Sequence, residues 1–243
     1  TKQAAAEIYV GTDYKETSIS SNVYKIIRNC QLQGGLAIAC GDAGIGKTQA
    51  CRQYYREHGT NCTYITVNPC IKSSKSVLEL IGSKLNVSSG SVSRLWLEIS
   101  SKLSDGMVII VDEAQHLTRN AIDTLRSLCD CFDEKGQTLG ICFVGNETTV
   151  SRLGGKQKAE FAQIRNRTKN TRFYSVKQIK KSDIEMLFPD IREDAAAVEF
   201  LLRIAQSPQA IRGAVNLYSN ALDNGNVTAK GLSAIAKYMD IAV

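Results

Sequence analysis

Residues 36–48 read LAIACGDAGIGKT, and the reading of this stretch decides the fold. Its first half, Leu36-Ala37-Ile38-Ala39-Cys40, is an apolar run with the length of a short buried strand. Its second half, Gly41-Asp42-Ala43-Gly44-Ile45-Gly46-Lys47-Thr48, meets G-x-x-x-x-G-K-[ST] at every fixed position. Gln49 follows, and then Ala50, Cys51, Tyr54 and Tyr55 recur at helical spacing. Strand, glycine loop and helix in that order form the context in which the pattern becomes a phosphate site. The glycines let successive backbone N–H groups turn inward without a Cβ in the way. The helix begins with unpaired N–H groups and a positive dipole end facing the same concavity. Residues 41–49 are therefore expected to cradle the phosphates of ATP. Lys47 would reach the β- and γ-phosphates, and the Thr48 hydroxyl would ligate Mg²⁺.

The chain has 243 residues, 43% hydrophobic and 22% charged, an ordinary globular composition. That length suits one α/β domain with a small appended domain. The net charge of +6 permits a polyanionic partner without requiring one. No apolar run approaches a membrane-spanning length, so no membrane role is expected. The first residues, TKQAAAEIYV, lack a basic segment followed by an apolar one, and secretion is not expected. They also lack an initiator Met, as a fragment or a processed chain would. Eight cysteines form no C-x-x-C pair and stand with no histidine at zinc-ligand spacing. They read as small buried hydrophobes in a reducing compartment, the cytoplasm.

Outward from the central stretch, strands and helices alternate. A helix is expected across Val23, Ile26, Ile27 and Cys30, capped by Ser20 or Ser21 after a turn-like stretch at 17–21. Residues 62–67, CTYITV, are rich in β-branched and aromatic types and read as the second strand. Ser76-Val77-Leu78-Glu79 has the capping-box pattern at the start of a helix. A serine-rich connector at 87–93 leads to a helix with Leu95, Trp96, Ile99 and Leu103 on its apolar face. Residues 107–111 and 139–144 are near-continuous apolar runs, hence fully buried strands. Between them Ala121, Ile122, Leu125 and Leu128 mark a helix, and residues 171–176 are the last candidate strand. This alternation predicts βαβ units and a parallel sheet. After Lys177 every segment is helical in pattern: 181–188, 194–205, 208–222 (with Pro208 near its start) and 227–238. The expected layout is an α/β nucleotide-binding domain over 1–177 and an all-helical domain over 178–243.

The second half of the site starts at Met107-Val108-Ile109-Ile110-Val111-Asp112-Glu113. An apolar strand that ends in two carboxylates puts the first, Asp112, beside the Mg²⁺ opened by Thr48. The second, Glu113, is placed to polarise attacking water. Residues 139–144 run into Gly145-Asn146, and a polar amide there is suited to the γ-phosphate or the lytic water. An asparagine at a strand-to-helix junction is also a good cap. Arg165 and Arg167 precede the last candidate strand, and Arg212 lies among the C-terminal helices. An arginine that reaches a γ-phosphate stabilises transition-state charge, but on residue type alone these three are equally solvated surface charges.

GDAGIGKT, VIIVDEAQHL, FVGN, GGKQKAEFAQIRNR and SPQAIRGAVNL together resemble the AAA+ ATPases of the MuB and TnsC group, regulators of transposition that bind target DNA. The resemblance runs from about Tyr9 to the C-terminus. It implies a P-loop AAA+ domain with a five-stranded parallel sheet and a small helical lid. In that scheme Lys47 and Thr48 belong to Walker A, Asp112 and Glu113 to Walker B, and Asn146 is sensor 1. Arg212 is the sensor 2 candidate, and Arg167 falls at the arginine finger with Arg165 its less favoured neighbour. Such proteins bind ATP and assemble as helical filaments, homo-oligomers around duplex DNA. They present that DNA to a transposase, and DNA and transposase stimulate hydrolysis. The setting is the cytoplasm of a bacterial host cell. The chain departs from the phage members of the group in two ways. No N-terminal helix-turn-helix segment precedes the core in these residues, and the connector that carries an arginine cluster elsewhere is serine-rich here, with Arg94 at its edge.

Sequence-independent DNA binding needs cations on phosphates. Lys72 and Lys75 follow the second strand on an edge that faces the filament pore in the group, and Lys84 and Arg94 bracket the connector. Lys156 and Lys158 sit in the Gly154 loop. Solvated loop charge explains any single one of these equally well. Lys72, Lys75 and Arg94 are taken as the main DNA contacts. Two other functions fit the same fold: a helicase-loader-type ATPase that grips single strands, and a nucleotide-switched regulator with no DNA role.

Overall fold

The computed structural model describes residues 14–149 and 168–241. These gather into two compact units. One is Ile19–Gln178, and the other comprises the described residues from Ile179 onward with those through Ser18.

The larger unit is built on a five-stranded parallel sheet: β1 (Gly35–Gly41), β2 (Cys62–Thr66), β3 (Met107–Asp112), β4 (Leu139–Gly145) and β5 (Thr168–Tyr174). Their order is β2-β3-β4-β1-β5, so β1 lies between two strands made much later in the chain. The crossovers are helical: α1 (Ser18–Gln33) leads into β1, α2 (Lys47–His58) follows it, and α3 (Ser74–Lys84) and α4 (Val92–Lys102) join β2 to β3. A single turn, Ala114–His116, and α5 (Arg119–Asp133) join β3 to β4. Every residue of β3 and β4 is buried, which is why those segments read as unbroken apolar runs rather than alternating ones. Ile65, Leu78, Ile81, Leu95, Ile99, Ile109, Leu125 and Phe143 centre the core that α3, α4 and α5 close over the sheet. Cys30 and Cys62 behave as core hydrophobes, and burial pushes both thiols up to about 12.

Three expectations on element ends are corrected. α1 begins at Ser18, so Ser20 and Ser21 lie inside it rather than capping it. Ser18, which belongs to the smaller unit, donates to the Asp183 carboxylate from N at 2.7 Å and from Oγ at 2.8 Å. The capping box of α3 is Ser73 with Ser76, not Ser76 with Glu79: Ser76 N donates to Ser73 Oγ at 3.3 Å and Ser73 N to Ser76 Oγ at 3.0 Å. β5 occupies Thr168–Tyr174 rather than 171–176, because the backbone leaves the ladder after Tyr174.

In the smaller unit, α6 (Lys181–Leu187), α7 (Ala195–Ala205), α8 (Ala210–Asp223) and α9 (Ala229–Tyr238) bury Val198, Leu201, Leu217 and Leu232. Asp194 caps α7 through Ala196 N and Ala197 N, at 3.1 and 3.0 Å. Pro208 stands in the turn before α8 rather than inside it.

Candidate functional site

At its start the phosphate loop is fastened to β5 and to the residues after it. Asp42 N donates to Tyr174 O on β5 at 3.0 Å. The Asp42 carboxylate accepts from Val176 N at 2.8 Å. Gly41 lies so close to Tyr174 that a Cβ would overlap its carbonyl. Ile45 is fully buried and roots the middle of the loop, while Ala43 and Gln49 face solvent. Gly46 adopts φ 98° as N-cap of α2 and offers no side-chain cap, so the helix begins with its first-turn N–H groups uncapped by any side chain. Lys47, the first residue of α2, is 9% exposed, and its Nζ donates to Gly41 O at 2.9 Å and Asp42 O at 2.6 Å. Burial holds its ammonium below the usual lysine range, against the opposing pull of Asp112 and Glu113.

Asp112 closes the site from the tip of β3. The Thr48 hydroxyl donates to its Oδ2 at 2.8 Å and the Tyr64 hydroxyl donates to the same oxygen at 3.1 Å. Glu113 N donates to Oδ1 at 2.9 Å. Burial nevertheless raises the carboxyl above its ordinary value, with these hydrogen bonds opposing. Tyr64 went unnoticed in the sequence. The β2–β3 pairing sets Thr66 opposite Asp112, which brings Tyr64 diagonal to it on one face of the sheet. Burial and the Asp112 charge push the Tyr64 phenol up to about 12, so it stays a donor.

These groups fit a triphosphate with a hard divalent cation. A buried ammonium and an uncapped helix start are matched to phosphate oxygens. Thr48 and Asp112 supply oxygen donors only, and no cluster of three or more His, Cys, Asp or Glu able to hold a metal occurs among the described residues. Mg²⁺ suits that poverty, since it is bound by one or two protein oxygens together with substrate phosphates.

Glu113 follows Asp112 with φ 58°, a left-handed conformation unusual for a residue with a side chain. Its carboxylate accepts from Gln115 Nε2, and Gln115 Oε1 in turn accepts from Asn146 N at 3.3 Å. Asn146 Oδ1 accepts from Thr148 N at 3.0 Å and Thr148 Oγ1 at 2.6 Å, the capping alternative for this residue. A Cβ at Gly145 would overlap both Thr149 Oγ1 and Gln115 Oε1, so a side chain there would require both groups to move.

β1, β4 and β3 are adjacent in the sheet, and their C-terminal ends bring residues 41–49, Asp112, Glu113 and Asn146 to one edge. The expected DNA contacts follow β2 and lie on α3 and α4. Lys72 is exposed on the loop after β2, and its carbonyl accepts from Thr118 N at 2.9 Å. Lys75, on α3, lies 3.9 Å from Glu79, and Arg94, on α4, is paired with Glu98 at 2.6 Å. Arg212 is exposed on α8 in the smaller unit. Arg165 and Arg167, with Lys156 and Lys158, lie outside the described residues.

A family model described as an AAA domain matches residues 30–153. The chain is 29% identical over 236 residues to the ATP-dependent target DNA activator B of Escherichia phage Mu, covering 94% of this chain and 71% of that protein. It is 28% identical over 225 residues to the Mu-like prophage FluMu DNA transposition protein B of Haemophilus influenzae, covering 88% and 75%. Among solved structures it is similar to the Aeropyrum pernix ORC2 protein, with TM-score 0.68 at 12% identity, covering 95% and 71%. It is also similar to the Thermotoga maritima RuvB Holliday junction branch migration motor, with TM-score 0.56 at 16% identity, covering 92% and 69%. These two structural likenesses speak for the fold alone.

Proposed function

The chain belongs to the AAA domain family, with a nucleotide-binding P-loop and the ATPase activity that goes with it, and from that premise we propose that it is the DNA-organising ATPase of a transposition system. In this reading it binds ATP with Mg²⁺, assembles as a helical filament on duplex DNA with little base preference, and delivers that DNA to a transposase. DNA and transposase stimulate its turnover, and it works in the cytoplasm of a bacterial host. The nucleotide half rests on one observation above the rest: the Thr48 hydroxyl on the Asp112 carboxylate at 2.8 Å, one residue from Glu113. The DNA half rests on the likeness to the phage Mu target DNA activator along 94% of the chain.

Each residue then has a part. The N–H groups of the loop and the Lys47 ammonium hold the β- and γ-phosphates. Thr48 and Asp112 hold Mg²⁺, which supplies charge neutralisation at the phosphates. Glu113 orients a water and takes its proton, and the Asn146 amide steadies the same water or the γ-phosphate. Arg167 from a neighbouring subunit and Arg212 from the helical lid, residues 178–243, neutralise charge that develops in the transition state. Lys72, Lys75 and Arg94 contact DNA phosphates.

Electron microscopy of the purified chain with a non-hydrolysable ATP analogue and random-sequence duplex tests the whole reading. Filaments on duplex are the expected result. Preference for single strands would favour a helicase-loader role, and indifference to DNA a nucleotide-switched regulator. Either would overturn the proposal.

A further inference from the structure

The tips of β3 and β4 are joined by a single side chain. Gln115 sits in the turn Ala114–His116, directly after the two carboxylates. Its Nε2 donates to the Glu113 carboxylate, and its Oε1 accepts the Asn146 N–H at 3.3 Å. The two contacts demand opposite ends of the amide, since a carboxylate takes only a donor and an N–H only an acceptor. The amide therefore has one orientation that satisfies both. Gln115 Oε1 also packs against Gly145, where an added Cβ would overlap it and Thr149 Oγ1. Glu113 is held at φ 58°, where its backbone is pinned by the bond to its neighbour's Oδ1.

We propose that Gln115 is a positioning residue, which holds the Glu113 carboxylate in place and ties it to the Asn146 backbone so that the β3 and β4 tips act as one unit. This rests on the assignment of Glu113 as the group that activates water. A carboxylate on a solvent-facing turn has many rotamers, and a base contributes only from the few that face the water. One amide hydrogen bond selects among them. The second contact means that a shift at the β4 tip is felt at Glu113 without passing through the sheet.

The test uses the full chain with ATP, Mg²⁺ and duplex DNA, in the variants Gln115→Met, Gln115→Glu, Glu113→Gln and the double variant Glu113→Gln/Gln115→Met. Methionine keeps the length and removes both hydrogen bonds. Glutamate keeps the acceptor for Asn146 N–H but sets a carboxylate against Glu113. Both single changes at 115 should bind a fluorescent ATP analogue within about twofold of the parent. Both should lose about 10- to 100-fold in turnover at saturating ATP, part of the 10²–10⁴ that a placed base contributes. The double variant should be no slower than Glu113→Gln alone, because the amide acts only through that carboxylate. Parental turnover in Gln115→Met beside an inactive Glu113→Gln overturns this proposal alone. So does a double variant slower than Glu113→Gln. Parental turnover in Glu113→Gln overturns the assignment of Glu113 and this proposal with it. Should Gln115→Met fail to fold by thermal melting, Gln115→Glu, which keeps size and the Asn146 contact, decides the matter.

Discussion

The hydroxyl of Thr48 and the carboxylate of Asp112 are 64 residues apart in the chain and 2.8 Å apart in the fold. The bond joins the first turn of α2 to the tip of β3, and so sets the spacing between the phosphate loop and the acidic strand. Thr48→Ala removes the hydroxyl from both the carboxylate and the cation. Binding of an ATP analogue in the presence of Mg²⁺ should weaken by about 10-fold or more, the weight of a hydrogen bond to a charged group. With EDTA the two proteins should differ little. Equal loss in both conditions would place Thr48 on the phosphates instead.

Asp112 carries a stability signature with a definite sign. Its folded pKa lies above the ordinary 3.8, because burial disfavours the charge. The folded state therefore binds the proton more tightly than the unfolded one. The resulting stabilisation is complete below the unfolded value and is lost as pH rises through the raised folded value. Asp112→Asn removes that loss. The nucleotide-free variant should melt at or above the parent at pH 7.5, and the gap should narrow as the pH falls toward 4. Mg²⁺·ATP should raise the melting temperature of the parent but not of the variant. A variant that melts lower at pH 7.5 would contradict the sign.

Much of this site is legible in the amino-acid sequence. Residues 36–48 declare strand, loop and helix, and the burial of β3 and β4 on both faces wrote itself as unbroken apolar runs. What escaped was set by distant partners. Ser18 has its partner in Asp183, 165 residues away in the chain, so no local pattern announces where α1 begins. Glu79 promised a capping box three residues too late, because a second serine at position 76 does that work. β5 carries Thr168, Lys169, Asn170, Thr171 and Arg172 at an edge of the sheet, and so lacks the apolar signal of a central strand. Tyr64 becomes a partner of Asp112 only through the register of β2 on β3, which composition does not encode. Gln115 stood in plain view in the DEAQ phrase, but its two contacts depend on where the β4 tip ends.

Glu113→Gln keeps the size of the side chain and removes its basicity. Nucleotide binding and filament formation should survive, and hydrolysis should fall about 100-fold or more. Phosphate release under single-turnover conditions measures the chemical step directly. A parental rate would remove Glu113 from its role.

Gly145→Ala should be costly although alanine is elsewhere the better strand residue. The added Cβ would overlap Thr149 Oγ1 and Gln115 Oε1. Overpacking of this kind costs about 1–3 kcal/mol. A fall in melting temperature of several degrees is expected, with turnover reduced in step through Gln115. An unchanged melting point would mean that the turn yields freely.

Reversal of charge at Lys72, Lys75 and Arg94 tests the DNA surface. Three lost phosphate contacts would lower the slope of log K against log salt by about 3. Lys75 and Arg94 already have carboxylates one turn away on their own helices, whereas Lys72 has no ion pair among the described residues. Lys72→Glu should therefore show the largest single effect in fluorescence anisotropy with a labelled duplex. An unchanged salt slope in the triple variant would send the search to another face.

The strand order has a consequence for synthesis. β1, which carries the phosphate loop, has β4 and β5 as its neighbours. A ribosome releases the loop early, but of the strands that flank it β4 ends only at Gly145 and β5 only at Tyr174. Until β4 is made, β1 has neither of its neighbours in the sheet. Chains that end before β4 thus carry the signature motif on a strand with neither of its neighbours, so the phosphate loop takes its final shape only after most of the larger unit has been made.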